Sequence, residues 1–397
     1  YYLPDDGLQS TAVQQPPSLH RKHATMLRHG LFRRIRVASI LGYLALPACR
    51  ALGSVACRTS HCPDRLQQMA KVPVILDTDI GDDIDDAWAL AYLLSHPRCD
   101  LRLVVTAFGD RERHLIRARI VQKFLGVAGR SDVPVALGVP SWGREGSSRP
   151  DCGQQRWGEN GSTDGQEAPP EEDGVGAMIR VIEGSSEPVT LLSIGPLCNV
   201  AALLDRAGDG IAAQARLVGM QGSIFRGYSG WPPASAEHNV ACDPLACARA
   251  FQAPWQSAPV LAPLDTCMTV QLQGAVLQRL LAEDAPALAG AVLDAYASWL
   301  RHSRVASKFY AEVDPREETT ILFDALAAYL ALHPDGGGLL DLQTMRLRVA
   351  EDGRTLQGKD ESDPEVVCAV EWQAGGLEAF AGHLVDALLG RASGARL

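Results

Sequence analysis

The run Asp77-Thr78-Asp79-Ile80-Gly81-Asp82-Asp83-Ile84-Asp85-Asp86 places six carboxylates in ten residues. Carboxylates crowded in this way raise one another's pKa unless a cation sits among them. Helix capping would occupy one or two of them and leave the others unexplained. A hard divalent ion with oxygen ligands resolves the conflict, and calcium takes about six to eight of them. The spacing excludes an EF-hand, because Gly81 stands at the wrong offset and no Glu closes the loop.

The cluster lies between an apolar run, Val72–Leu76, and an Ala/Leu-rich stretch, Asp86–Ser95. Read as strand then helix, this puts the acids at the carboxyl end of a strand, where open α/β sheets bind their ligands. A helix N-terminus there tolerates negative charge. Short Val/Ile/Leu runs then alternate with segments of helical period, the pattern of a mainly parallel sheet covered by helices. Strands are expected at Val72–Leu76, Leu101–Ala107, Val133–Leu137, Pro188–Ile194, Arg216–Met220 and Pro259–Ala262. Helices are expected over Asp86–Ser95, His114–Gly126, Gly174–Glu183, Leu197–Asp205, Pro244–Phe251, Pro286–His302, Thr320–His333 and Leu377–Leu389. The expected fold is therefore α/β, a single open sheet related to the Rossmann type. Ser141–Asp173 is Gly-, Pro- and Glu-rich and reads as a mobile insertion loop, either a lid or a solvated excursion.

Hydrophobic residues make up 46% and charged residues 21% of the 397, which excludes wholesale disorder, collagen and coiled coil. Charge is uneven: residues 1–70 hold 9 Lys+Arg against 3 Asp+Glu, and 28 against 44 follow. An acidic body argues against a nucleic-acid partner. From Met26, a basic stretch with Arg33, Arg34 and Arg36 precedes the apolar run Val37–Ala48. This is the layout of a signal peptide, too short for a stable membrane span. Residues 1–70 are thus expected to be an unstructured leader and 71–397 the functional domain. Export, with Cys49 as a lipid-anchor candidate, is one expectation; a basic tail on a cytoplasmic protein is the other. The ten cysteines include no C-x-x-C pair, so a zinc site of common spacing is not visible. A homo-oligomer is left open.

Several ordered segments carry a family resemblance. Asp77-Thr78-Asp79-Ile80-Gly81 followed by Asp85-Asp86-Ala87 resembles the N-terminal fingerprint of the inosine-uridine-preferring nucleoside hydrolases. Val104-Val105-Thr106-Ala107-Phe108-Gly109 and Gly129–Val135 with Gly138 are similar to its second and third strands. Gly195-Pro196-Leu197-Cys198-Asn199 resembles its G-P-L-T-N turn, Glu237-His238-Asn239 with Asp243-Pro244 its E-F-N…D-P segment, and Phe323-Asp324-Ala325-Leu326-Ala327 its H-D-P-x-A helix start. An Asp-x-Asp after a strand also occurs in haloacid-dehalogenase-type magnesium phosphatases, but Gly81 stands where those usually carry Thr or Val. A non-catalytic nucleoside- or pentose-binding protein that kept the metal cluster is a further alternative.

The resemblance implies calcium-dependent hydrolysis of the ribonucleoside N-glycosidic bond. It implies that Asp79 touches the ion and orients or deprotonates water, and that Asp86, Asp324 and the carbonyl of Ile194 are ligands. Asp85 would hold a ribose hydroxyl, with Asp83 open for one of these roles because the motif here is two residues longer. Glu237 and Asn239 would grip further hydroxyls. Three departures mark the substrate side: Phe323 replaces a His that protonates the leaving base, Trp231 replaces an Asn, and Asp110 replaces the Asn of a G-N turn. Phe323 and Trp231 are either base-stacking aromatics or core. His238 is a candidate acid by its proximity to Glu237 in sequence.

Overall fold

A computed structural model describes residues 70–147, 151–160, 168–282, 284–306 and 310–391. The leader, its signal-peptide reading and Cys49 lie outside these residues. Among the described residues, nine strands form one sheet in the order β3-β2-β1-β4-β5-β6-β9-β7-β8. They are β1 (Val72–Thr78), β2 (Cys99–Thr106), β3 (Val135–Leu137), β4 (Val189–Ser193), β5 (Ala215–Gly219), β6 (Val260–Leu261), β7 (Leu340–Val349), β8 (Thr355–Gln357) and β9 (Glu365–Trp372). Six of them keep the Rossmann order 3-2-1-4-5-6, and β9 extends the parallel set beside β6. β7 and β8 close that edge antiparallel. Among the described residues, no helix is long and apolar enough to cross a membrane.

β1 is central because it is apolar on both faces, as a strand covered by helices on two sides must be. Pro73 cannot donate a ladder hydrogen bond, and pairing with β4 begins only at Val74, so the missing N–H costs nothing on that side. The expected strands all form, with ends moved by a few residues. The expected series stopped at Ala262, however, and β7, β8 and β9 were missed. β7 reads Leu-Asp-Leu-Gln-Thr-Met-Arg-Leu-Arg-Val, a strand whose outer side pairs with β8 only over Leu347–Val349 and which lacks the Val/Ile density of the central strands.

Helices Asp85–Ser95 and Phe323–Leu332 pack against each other under the sheet. Their sequences, DDAWALAYLLS and FDALAAYLAL, are apolar around nearly the whole circumference, which marks helices of the core rather than of the surface. Residues 85–93 of the first and all of the second are buried. Their N-termini therefore carry Asp85, Asp86 and Asp324 into the interior. Of the insertion, residues 151–160 are packed: helix Gln155–Glu159 lays Trp157 on Phe124, ring centroids 4.5 Å apart, with Lys123 Nζ 4.0 Å from the Trp157 ring centre.

Candidate active site

The acids gather where β1 and β4 end, at the point where the strand order reverses, the usual ligand crevice of such sheets. Asp77, still within β1, accepts from Ser193 Oγ at 2.7 Å and Asn199 Nδ2 at 2.8 Å. Thr78 donates to Asp86 Oδ1 and accepts from Ile80 N, which ties the strand end to the first turn of helix Asp85–Ser95. The carboxylates of Asp85, Asp86 and Asp324 come within 4.8 Å of one another, all buried. Asp79 is near enough that its charge raises the pKa of all three.

Burial is the largest influence on every one of these groups. It pushes Asp77 and Asp83 up to about 6 and Asp79 to about 7, Arg117 pulling Asp79 down and Asp82 pushing it up. Asp85, Asp86 and Asp324 stand well above the ordinary carboxylate range, through burial and then one another's charge. Asp82 is set apart from the cluster: Arg113 Nη1 and Arg117 Nη2 each meet one of its oxygens at 2.8 Å. The buried, mutually repelling oxygens of Asp79, Asp85, Asp86 and Asp324 are a donor set that fits a hard divalent cation.

Other expected residues take more defined positions. The Ile194 carbonyl accepts from Asn239 Nδ2 at 3.1 Å, and that amide also donates to Met220 O at 2.9 Å. Glu237 is fully buried rather than a surface acid; its oxygens accept from the backbone amides of Gly222, Asn239 and Val240. Asp324 is not a helix cap, since Leu322 holds that place. Phe323 is buried and meets Tyr228 edge to face, centroids 6.4 Å apart. Trp231 is 73% exposed, so packing in the core is not its role. Asp110 is exposed and caps helix Arg111–Val127, its Oδ1 accepting from Arg113 N. His238 is half-buried, with Cys242 Sγ 3.7 Å from its Nε2.

The family's sequence model, described as inosine-uridine preferring nucleoside hydrolase, matches residues 74–377. The chain belongs to that family. Among its relatives, the pyrimidine-specific ribonucleoside hydrolase RihA of Enterobacter sp. (strain 638) is 35% identical over 220 residues, 52% of this chain and 64% of the relative. The non-specific ribonucleoside hydrolase RihC of Klebsiella pneumoniae is 35% identical over 191 residues, 46% of this chain and 58% of the relative. The matched part thus spans less than two thirds of either relative. Solved structures of a plant nucleoside hydrolase (TM-score 0.65, 22% identity) and an inosine-guanosine nucleoside hydrolase (TM-score 0.64, 18% identity) share the fold, each over 80% of this chain and 99% of theirs. The phosphatase and binding-protein alternatives are not favoured beside this membership.

Of three supporting residues, Arg117 and Gln154 were not singled out in the sequence, and Asn199 stood there only as the last residue of the G-P-L-T-N-like turn, without a role. Arg117, completely buried, donates to Asp82, to Phe108 O and Ile80 O, and to Asp79 O, and so holds the whole acidic loop. Its signal was available: it recurs with His114, Ala118 and Val121 on the core-facing side of its helix, where a charge is out of place. Asn199 joins Asp77, Thr106 O and Val139 N at 2.8–2.9 Å, linking three strand ends. Gln154, from the insertion, donates through its backbone to Gly81 O and through its side chain to Asp83 O.

Gly195 shows how closely Asp79 is held. A Cβ at this position would lie 2.7 Å from Asp79 Oδ1 and 3.0 Å from its Cγ. Gly195→Ala is therefore expected to displace the carboxylate while leaving the fold intact. A shift of about 1 Å in a catalytic group can cost on the order of 10²-fold. Turnover reduced to that degree with an unchanged melting temperature is the expected result; full turnover would show that Asp79 has room to spare.

Proposed function

We propose that the protein hydrolyses the N-glycosidic bond of ribonucleosides to ribose and free base, with calcium held by Asp79, Asp86, Asp324 and the Ile194 carbonyl. The observation that carries this reading is the convergence of buried carboxylates at the sheet's switch point in a member of this family. Calcium, when bound, would keep these carboxylates ionised and acidify a water molecule. Asp79, packed against Gly195, would orient the attacking water and take its proton. Cleavage of a ribosyl bond passes through an oxocarbenium-like state, which nearby carboxylates stabilise. Asp85 accepts from a ribose hydroxyl, with Asp83 beside it. Asn239 has given both amide protons away and meets a second hydroxyl through Oδ1, in a backbone frame fixed by Glu237. Glu237 itself retains lone pairs for a further hydroxyl. Phe323 and Trp231 offer rings for stacking on the base. The test is a panel of purine and pyrimidine ribonucleosides assayed for base and reducing sugar together; release of neither from any of them defeats the reading.

With Phe323 in place of a histidine, the base must leave with less help from a proton donor. Such a donor contributes about 10²–10⁴-fold. Nitrophenyl riboside, whose leaving group needs no proton, is expected to be cleaved faster than inosine by a factor in that range, and Phe323→His to narrow the gap. Equal rates on both substrates with chemistry rate-limiting would point to another acid, His238 first.

The pKa values also fix a pH response. Asp77, Asp79 and Asp83 bind their protons up to about 6, 7 and 6 in the folded, ion-free protein, against about 3.9 unfolded. Between about pH 4 and 7 the folded state thus holds more protons, and stability falls as pH rises through that window. Calcium reverses the argument, since it binds the ionised form. The melting temperature of chelated protein is expected to drop from pH 5 to pH 8, and calcium to raise it more at pH 8. A calcium effect of equal size at both pH values would contradict the cluster's role.

A further inference from the structure

The two core helices that carry acids at their N-termini carry histidines where they end. His96 closes helix Asp85–Ser95, and His333 closes helix Phe323–Leu332. At 1.5 Å per residue, this is roughly 15 Å from the acidic cluster. His383, within helix Gly376–Leu388, completes the group. One ring nitrogen from each comes within 4.8 Å of the others, and ring centroids lie 5.5–5.7 Å apart. All three side chains are buried, at 3%, 3% and 4% exposure. Among the described residues His96 Nε2 is enclosed with no hydrogen-bond partner, a costly state for a polar atom.

We propose that His96, His333 and His383 form a second metal site, for a borderline transition ion of the zinc class. Neutral imidazoles suit zinc, whereas carboxylate and carbonyl oxygens suit calcium, so the two ends of the helix pair select different ions. Burial pushes His96 down to about 3 and His383 below its ordinary value, which keeps these rings uncharged at neutral pH. Two helix C-termini meet here, and their dipoles favour a cation. His383 Nε2 lies 2.9 Å from the Tyr92 hydroxyl; a proton donated to that oxygen leaves Nδ1 as the ligand, the outer support that metal-bound histidines commonly have.

Arg98 opposes loading. Its backbone N–H donates to His96 Nδ1 and its Nη1 to His333 Nδ1, each at 3.2 Å, so without metal these two rings carry their protons on Nε2. Ligation through Nε2 moves each proton to Nδ1, with no net release, and makes Arg98 give up both acceptors. Both bonds are at the long end of the normal range, and coordination replaces them. The guanidinium therefore weakens binding without preventing it.

The test uses the full chain with zinc chloride as probe, in millimolar calcium to fill the acidic site. It reads equilibrium dialysis and zinc X-ray absorption, neither of which depends on hydrolase activity. One zinc per chain at micromolar free ion is expected, with three nitrogens at about 2.0 Å in the shell. His96→Gln and His383→Gln should each weaken binding at least tenfold, Asp86→Asn should leave it unchanged, and Arg98→Met should tighten it. Should the histidine variants fail to fold, the absorption spectrum of the unaltered protein still decides, because an oxygen-dominated shell would overturn the site. So would no zinc below about 100 µM, or full retention by a folded histidine variant. Unchanged affinity in Arg98→Met would overturn the opposing role of Arg98.

Discussion

Asp79→Asn is expected to lower turnover by about 10²–10⁴-fold, the usual contribution of a general base, and added calcium is not expected to restore it. The amide is isosteric and keeps the fit against Gly195, so positioning survives while the proton acceptor is lost. Asp324→Asn makes the informative comparison. Asp324 shares the cluster with Asp85 and Asp86 but is given no proton to move, so its loss should weaken the ion and be partly recovered by excess calcium. Turnover against calcium concentration separates the two: a low plateau for Asp79→Asn, a displaced curve that climbs back for Asp324→Asn. Near-normal turnover in Asp79→Asn, or identical calcium curves, would show that the roles are wrongly divided.

Arg117→Met should destabilise the protein by about 3–5 kcal/mol, the range for removing one partner of a buried ion pair. The side chain is wholly buried, and four separate groups depend on it: the Asp82 carboxylate and the carbonyls of Asp79, Ile80 and Phe108. Arg113 stays on Asp82, which keeps the cost from rising further. Phe108 adds to the effect, since its φ of 53° is one that non-glycine residues seldom adopt and Arg117 holds its carbonyl. Arg117→Lys should recover only part of the loss, because an ammonium cannot serve the planar fork of contacts. Urea unfolding monitors this directly, and a change below about 0.5 kcal/mol would show that the loop is held by something else.

The central strands were legible because parallel strands buried on both faces are written as unbroken Val/Ile/Leu runs, as β1 and β4 are. β7 was not, since it lies next to the sheet's edge, pairs outward only over Leu347–Val349, and carries Asp, Gln and Arg among its apolar residues. Asp77 to Asp86 stood out by crowding alone, and Asp324 became a candidate only through the family resemblance, its helix being the only local cue. Arg117 was hidden among six basic residues of its helix, Arg111, Arg113, His114, Arg117, Arg119 and Lys123. Composition does not show which of them points inward, although spacing does. Gln154 lay in a stretch that reads as solvent-exposed, and its contacts with Gly81 and Asp83 join residues some seventy positions apart. Trp231 and Asp110 entered as substitutions within a resemblance, and nothing in the sequence tells that the ring of the one is exposed and the carboxylate of the other caps a helix.

The proposed hydrolysis of nucleosides by water requires calcium at the acidic cluster. The most direct measurement follows free base and reducing sugar from one ribonucleoside through three stages: as purified, after chelation, and after calcium is returned. Equal amounts of base and ribose at the first stage, neither at the second, and recovery at the third are the expected results. Base release that continues undiminished in chelated protein, or none in protein shown to hold calcium at the cluster, would contradict it.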